Sequence, residues 1–165
     1  MIKLALLAVA VLVVILLVVV IVGLSLPVGH TASRQATLQA GPAQVFAVLA
    51  DVERYPAWRS DVKSVEVLSR APLRWIEHGS NGTITFEQIE SDAPHRIVGK
   101  IADARLPFGG TWTYELAPSG GGTTLTITER GEVYNPVFRF MSRFVFGHTA
   151  TIDRFIADLR GRAAS

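Results

Sequence analysis

Two strand-like segments of the sequence each carry a carboxylate on an otherwise apolar face. Because side chains alternate between the two faces of a strand, Leu125, Ile127 and Glu129 share one face, and Trp75 and Glu77 share another. A carboxylate in such a place must either pair with a cation or have a raised pKa. Groups of this kind can act as a general acid or base, or they can hold the polar part of a small molecule.

Two further polar residues lie on apolar stripes. In the segment TWTYEL, Tyr114 shares a strand face with Trp112 and Leu116, and His148 recurs at helical spacing with apolar residues near the C-terminus. One interpretation is that Glu77, Tyr114, Glu129 and His148 are the few polar groups of one mostly apolar pocket. The alternative is that Glu129 pairs with an arginine or meets water at a sheet end, and that His148 is an ordinary core histidine. The sequence leaves both open.

Other chemistries find no support in the motifs. The four histidines have no HxxxH, HxH or HExxH spacing, and the chain has no cysteine, so neither a metal site nor a cysteine nucleophile is predicted. No GxSxG motif occurs. The glycine-rich stretches GGTWT and SGGGTT are not followed by a helix or a lysine–serine pair, which phosphate-binding loops require. We therefore expect no metal and no cofactor.

The elements that would position these residues are predominantly strands. Alternation and turn residues predict a first strand at Thr31–Gln39, a helix opened by Gly41 and Pro42, and then six further strands. Those six are Val62–Leu68, Leu73–His78, Thr83–Glu90, Arg96–Ala102, Thr111–Leu116 and Thr123–Val133. Their short glycine-rich connections favour an antiparallel meander.

A long final helix is predicted from Asn135, with Pro136 in its first turn. Its buried stripe would consist of Met141, Val145, His148, Ile152, Phe155 and Leu159, with Gly147 allowing a bend. The fold class is therefore α+β, with an antiparallel sheet wrapped around a C-terminal helix.

The N-terminus is strongly apolar. From Leu4 to Val22 the sequence has nineteen consecutive apolar residues, which as a helix would cross a hydrocarbon core of about 30 Å. The competing interpretation, a signal peptide, would have an apolar core of only ~7–15 residues and a small-residue cleavage site, and LSLPVGHTAS offers none that is convincing. We expect residues 1–26 to form a single-pass anchor. Lys3 favours a non-cytoplasmic location for the domain that follows.

Residues 27–33 are predicted to form a juxtamembrane linker and the start of the first strand, and residues 34–165 one ligand-binding domain. Without Lys3 the chain has fifteen Lys and Arg, that is sixteen minus one, against fourteen Asp and Glu. There is no run of basic residues, so nucleic acid is not expected as a partner.

The order of elements, the stretch PAQVFAVLADVERYPAWRSDVKSVEVL, the PFGGTWTYEL strand and the Asn-Pro start of the last helix resemble the START/Bet v 1-like (SRPBCC) superfamily, and within it the polyketide cyclase/dehydrase-type branch. The resemblance covers essentially residues 31–161. It implies a helix-grip fold, a curved sheet around a long C-terminal helix, with a hydrophobic cavity between them. The superfamily includes lipid carriers, hormone receptors, cyclases and quinone-binding proteins, and it has no shared catalytic signature.

With that cavity implied, strand alternation and the predicted C-terminal helix together select the residues expected to line it. They are Trp75, Glu77, Phe86, Gly99, Trp112, Tyr114, Glu129, Phe144 and His148. Gly99 shares a face with Ile97 and Ile101 and adds no side chain. The helix carries more phenylalanines than one stripe requires, and some of these rings would line the cavity or face the bilayer near the anchor.

The segment DVERYPAWRSDV matches the short second helix at the cavity rim of the family pattern. There Tyr55 and Trp58 would form a packed corner around Pro56, or alternatively a gate over the cavity mouth. The neighbouring charges mix both signs, which suits a solvated surface with local ion pairs; they are Asp51, Glu53, Arg54, Arg59 and Asp61. An active site here is the least favoured interpretation.

The leading functional hypothesis is a membrane-tethered binding or carrier protein for a hydrophobic small molecule, of lipid or isoprenoid type. The alternative is a cyclase- or dehydratase-like enzyme that uses Glu129 or His148 as acid or base. A third hypothesis is an interaction module with a vestigial cavity. Fold resemblance alone does not distinguish among them.

Overall fold

The computed structural model describes residues 1–163, so the last two residues of the predicted domain, Ala164 and Ser165, lie outside the described residues. The chain begins with a 24-residue helix, Ile2–Ser25 (α1), whose apolar side chains point outward over most of its length. By length and composition this helix can cross a membrane.

Seven antiparallel strands form one sheet in the order β1-β7-β6-β5-β4-β3-β2. The strands are Gly29–Leu38 (β1), Val62–Arg70 (β2), Leu73–Gly79 (β3), Gly82–Asp92 (β4), Arg96–Ile101 (β5), Phe108–Ser119 (β6) and Gly122–Val133 (β7). All seven predicted strands are present. β1 begins two residues before the predicted start, and β6 begins three residues before it because Phe108 pairs with Val133.

Two short helices connect the strands at opposite edges of the sheet. Pro42–Ala50 (α2) begins as predicted at Gly41, whose amide donates to the Gln44 side-chain oxygen at 3.1 Å. A 3₁₀ helix, Val52–Ala57, follows directly. Leu49 and Val45 of α2 are buried in the main core, which also contains residues of β1, β7 and the final helix. The connection therefore closes one side of the sheet.

The C-terminal helical segment is not the single continuous helix that the periodicity predicts. It consists of Pro136–Met141 (α3), a π-helical turn at Ser142–Phe146, and Ala150–Ala163 (α4). Asn135 is the predicted cap, and its side-chain oxygen accepts from the amides of Val137 and Phe138 at 2.9 and 3.2 Å. Gly147 has a φ of +74°, which ends the π turn.

This interruption changes the predicted stripe. A π turn uses more residues per turn than an α-helix, so the three- and four-residue spacing loses its phase before Gly147. Val145, predicted to be buried, is 57% exposed, whereas Ile152, Phe155 and Leu159 of α4 are buried as predicted. The prediction is therefore correct for α4 and wrong for the turn before it.

The end of α1 packs against α3. Gly23 is buried, and a Cβ at this position would overlap with the carbonyl group of Pro136. Nearby, a guanidinium nitrogen of Arg139 donates to the carbonyl oxygen of Leu26 at 2.8 Å. The apolar helix is thus joined to the domain at the start of the C-terminal helical segment.

Candidate functional site

A cavity of about 720 Å³ lies between the concave face of the sheet, the 3₁₀ helix and the C-terminal helical segment. This volume is within the range of about 300–1,000 Å³ that is typical of small-molecule sites. Its middle is apolar and aromatic, lined by Trp75, Phe86, Ile97, Gly99, Trp112 and Phe155. The rings of Trp75 and Phe86 are stacked, with centroids 5.5 Å apart.

Most of the residues selected from strand alternation lie along this cavity wall. They are Trp75, Glu77, Phe86, Gly99, Trp112, Tyr114, Glu129 and His148. Their positions agree with the expected facing of strands β3 to β7. That any of them contacts a ligand remains a prediction.

Phe144 is the exception and requires a correction. Its side chain is 59% exposed, it packs against Phe140 with ring centroids 4.9 Å apart, and it is not part of the cavity wall among the described residues. The physical reason is the π turn, which rotates residues 142–146 away from the directions that a continuous helix would give their side chains.

At one end of the cavity Arg59, Asp61 and Glu77 form a buried charged group, called here the arginine cluster. Arg59 donates to both carboxylate oxygens of Glu77 at 3.0 Å and to the two oxygens of Asp61 at 3.1 and 2.9 Å. The side chains are largely buried: Arg59 is 12% exposed, Glu77 9% and Asp61 7%. The indole of Trp75 donates to Glu77 at 3.0 Å, and Asn81 donates to Asp61 at 3.4 Å.

The charges of the arginine cluster stabilise one another. Burial by itself lowers the pKa of Arg59, but the adjacent Glu77 and Asp61 outweigh it and raise that pKa overall. Burial raises the pKa of Glu77, and the guanidinium and the Trp75 indole offset part of the rise. Because Arg59 is shared by two carboxylates, the cluster has no spare positive charge when both are ionised.

The position of Arg59 and Asp61 corrects the prediction that the charges of this segment lie on a solvated surface. Asp51, Glu53 and Arg54 are exposed as expected, but Arg59 and Asp61 face the cavity. A signal was present in the sequence. Glu77 on an apolar face required a cation, and Arg59 follows the aromatic corner that packs near that strand.

The aromatic corner is well packed. The hydroxyl of Tyr55 donates to the carbonyl of Leu49 at 2.7 Å, and its buried ring lines the cavity. Trp58 makes edge-on contacts with Tyr55 and Phe155, with centroids 5.5 and 5.4 Å apart, and its ring is not part of the cavity wall within residues 1–163. Tyr55 therefore meets the cavity, and Trp58 supports it from behind.

A second polar group, the glutamate–histidine cluster of Glu129, His30 and His148, lines another part of the cavity. A carboxylate oxygen of Glu129 is 3.8 Å from Nε2 of His30, and the two imidazole rings are stacked with centroids 4.1 Å apart. Nδ1 of His148 is within hydrogen-bond distance of the Ser142 hydroxyl, at 3.0 Å. A side chain at Gly131 would collide with the His30 ring, so glycine makes room for this cluster.

Sequence reasoning missed His30 because the first strand was expected to begin at Thr31. Extending the alternation by one residue places His30 on the same face as Ala32 and Ala36, which are both buried. The pairing of Ala32 with Glu129 in the β1–β7 register then brings the histidine near the carboxylate.

Burial shifts the protonation of this cluster toward neutral forms. It raises the pKa of Glu129 to about 7. Burial, and secondarily His148, lowers the pKa of His30; burial, and secondarily Arg143, lowers the pKa of His148. A carboxyl group with a pKa near the surrounding pH can both donate and accept a proton, which general acid–base chemistry requires.

Tyr114 lies between the two clusters. Burial raises its pKa well above the ordinary value, and its hydroxyl interacts electrostatically with Tyr55, Arg59, Glu77 and Glu129. The cavity thus has an apolar middle with polar groups on both sides.

Within residues 1–163, no three side chains of the types that bind metals converge on one point.

Residues 29–163 match the protein family described as polyketide cyclase / dehydrase and lipid transport. The match begins at the first residue of β1 and leaves α1 outside. No curated protein has a significant sequence match to the chain.

Solved structures of related folds extend this comparison. A START superfamily protein from Mycobacterium smegmatis is 17% identical with a TM-score of 0.68, covering 82% of this chain and 97% of that one. A protein from Thermus thermophilus is 20% identical with a TM-score of 0.67 over the same shares of the two chains. An aromatase/cyclase from a Streptomyces species is 14% identical with a TM-score of 0.64, covering 82% and 94%. These identities establish the fold alone.

Proposed function

The chain belongs to the polyketide cyclase/dehydrase and lipid transport family, and from this premise we propose that it is a membrane-tethered binding or carrier protein for an amphipathic small molecule of lipid or isoprenoid type. The observation that carries this proposal is the cavity of about 720 Å³ with an aromatic middle and polar groups at its sides. Such a cavity holds the apolar body of a ligand and fixes its orientation through one or two polar atoms.

Tethering is supported by α1. Its 24 residues, nearly all apolar, suit a bilayer in length and composition, and the helix precedes the matched domain directly. A carrier held beside a bilayer meets membrane-dissolved ligands at a high effective concentration, which favours loading without a tight site.

The charged side chains that line the cavity indicate whether the polar group of the ligand is charged or neutral. Among residues 1–163, the wall carries four carboxylates, of Asp61, Glu77, Glu129 and Glu132, but one guanidinium. That guanidinium belongs to Arg59, and two of the carboxylates already bind it. An anionic head group would therefore face uncompensated negative charge. A neutral oxygen function, such as an alcohol or a carbonyl, can instead form hydrogen bonds with Glu129 and Tyr114.

The test compares two matched probes on the detergent-purified protein. Parinaric acid, a fluorescent polyene fatty acid, and the alcohol obtained by reducing it differ only in the head group. We expect the alcohol to bind more tightly above pH 7, and mass spectrometry of the same preparation to detect a co-purifying neutral amphiphile. Binding of neither probe, together with no co-purifying molecule, would refute the carrier function.

A second function is favoured by the glutamate–histidine cluster. In a cyclase- or dehydratase-like reaction, a base removes a proton next to a carbonyl and an acid protonates the departing hydroxyl, which leaves as water. Glu129, with a pKa of about 7, is suited to either role. Incubation with linear polyketide analogues and detection of products that have lost water tests this function. Glu129→Gln would abolish the conversion, while a wholly apolar probe, which needs no hydrogen bond from Glu129, would still bind.

A further inference from the structure

An exposed apolar surface lies on the segment that joins β7 to α4. Four large apolar side chains that are close together in the chain are more than half exposed. They are Phe138 (51%), Phe144 (59%), Val145 (57%) and Phe146 (65%). We call this group the aromatic patch. A cluster of large apolar side chains on an otherwise charged domain indicates a surface that is covered in the working protein.

The aromatic patch is continuous with the end of α1. α3, which carries Phe138, packs against Gly23 through Pro136, and Arg139 of the same helix holds the carbonyl of Leu26. The aromatic patch is therefore adjacent to the C-terminal end of α1.

The depth of this contact follows from the length of α1. Counting from Leu4, a helix of ~1.5 Å rise per residue crosses a hydrocarbon core of about 30 Å near Leu24. Gly23 thus lies at the boundary between acyl chains and head groups, and Pro136 packs at the same level. Apolar side chains of interfacial segments reach roughly 5–10 Å into this boundary, with arginines beside the head groups. Arg143, which is exposed beside Phe144, is placed for the latter role.

The same segment borders the cavity. Phe138 and Phe146 both line the cavity and are more than half exposed, so the cavity wall reaches the surface of the domain at these two side chains. Met141, Ser142 and Gly147 complete this part of its wall. Gly147, with a φ of +74°, separates the π turn from α4.

From these observations we infer that the aromatic patch inserts into the lipid bilayer beside α1 and holds the cavity mouth against the membrane surface, so that ligand passes between bilayer and cavity without crossing water. This inference rests on the proposed tether. The lipid bilayer that α1 spans is what covers the aromatic patch, because the patch lies beside the C-terminal end of α1.

The test uses full-length protein in vesicles of phosphatidylcholine and phosphatidylglycerol. The chain has no cysteine, so single cysteines can be introduced and labelled with an environment-sensitive fluorophore. Phe144→Cys reports on the patch without altering the cavity wall. Val13→Cys reports on the middle of α1. Ile89→Cys is the matched control: it is 51% exposed, and β4 ends at the opposite end of the sheet from Val133.

Nitroxide-labelled lipids then quench each fluorophore according to its depth. We expect the label at 144 to be quenched most by nitroxides near the head group, the label at 13 by nitroxides near the chain ends, and the label at 89 by neither. If 13 is quenched but 144 behaves like 89, the patch does not insert although the tether stands. If 13 is also unquenched, the tether itself is wrong. The label at 144 could instead report an apolar environment without being quenched by any nitroxide-labelled lipid. That result would mean that a second copy of the chain covers the patch, and it would overturn the inference.

A functional measurement complements the depth measurement. Phe144→Asp should slow the transfer of the parinaryl alcohol from vesicles into the protein several-fold, while binding of the same alcohol in detergent stays unchanged. Ile89→Asp should alter neither quantity. Equal transfer rates for Phe144→Asp and Ile89→Asp would exclude passage through the patch.

Discussion

One guanidinium nitrogen of Arg59 donates to both carboxylate oxygens of Glu77, each at 3.0 Å, inside the cavity wall. This pair connects the segment after the 3₁₀ helix with β3. The other two guanidinium nitrogens of Arg59, Nε and Nη2, donate to the carboxylate of Asp61. A buried ion pair contributes little when intact, because desolvation offsets the attraction, but its disruption leaves an uncompensated charge.

The first prediction follows from this pair. Arg59→Met should destabilise the domain by about 3–5 kcal/mol, because two buried carboxylates lose their cation. Arg70→Met is the control. Arg70 also pairs with a carboxylate, Glu53, at 2.9 Å, but its side chain is 72% exposed. Removal of such a surface pair should cost about 1 kcal/mol or less. Urea unfolding curves measure both values, and equal losses in the two variants would contradict the buried network.

The second prediction concerns Trp58. Trp58→Ala should reduce the free energy of unfolding by about 3 kcal/mol or more, because the ring supports Tyr55 and Phe155 from behind. Trp58→Phe should be milder, since the indole nitrogen is buried with no hydrogen-bond partner among residues 1–163 and its removal loses no bond. A gate would behave in the opposite way, with an unchanged melting temperature and altered uptake of the probe.

The third prediction is a pH dependence that originates in Glu129. Its pKa is about 7 in the folded chain against an ordinary value of 4.5, so the unfolded chain ionises first as the pH rises. The folded state then binds more protons and loses stability between about pH 4.5 and 7, with the full loss present above 7. Glu129→Gln removes this loss and should be more stable than wild type by on the order of 2–3 kcal/mol at pH 8, and nearly equal at pH 4.5.

The two histidines of the cluster act with the opposite sign. Their lowered pKa values cost stability only as the pH falls below the ordinary histidine value of 6.5, so at pH 8 both histidines are neutral in the folded and unfolded states of either protein. The difference between the unfolding free energies of wild type and Glu129→Gln therefore isolates the carboxyl group. A difference that does not change between pH 4.5 and 8 would show that Glu129 is not desolvated.

The fourth prediction concerns sidedness. Lys3 directly precedes the apolar run, and positive charge next to a membrane span tends to remain in the cytoplasm. Alkaline phosphatase fused to the C-terminus should therefore be active, and a fluorescent protein that matures only in the cytoplasm should be dark at the same position. The reverse result would place the cavity on the cytoplasmic side and leave the depth measurements unaffected.

The sheet was predictable because its strands alternate cleanly and their turns are marked by glycine. The facing of Tyr114 and Glu129 was correct since β6 and β7 pair without a bulge, whereas register shifts occur in the pairings of β2 with β3 and β4 with β5. Arg59 and His30 depend on contacts between distant parts of the chain, which a local pattern cannot show. Phe144 was misplaced because helical spacing does not anticipate a π turn.

The last prediction tests the cavity as a hollow space. Gly99 lies on β5 in the cavity wall, and of the atoms in the described part of the chain an added Cβ would meet only one, in the Trp75 ring, at 4.0 Å. Gly99→Leu should therefore stay folded and displace the parinaryl alcohol, because a cavity accepts volume for which a filled core would cost about 1–3 kcal/mol.

Lys100→Leu is the matched control for this variant. Lys100 is the next residue of β5 and exposed on the other face, so the same leucine there adds no volume to the cavity. We expect the Lys100→Leu protein to bind the alcohol as wild type does. Circular dichroism melts report on folding, and fluorescence titrations on binding. If Gly99→Leu unfolds, the space beside Trp75 is a packed core; if Gly99→Leu folds and binds the alcohol unchanged, the ligand does not enter the middle of the cavity.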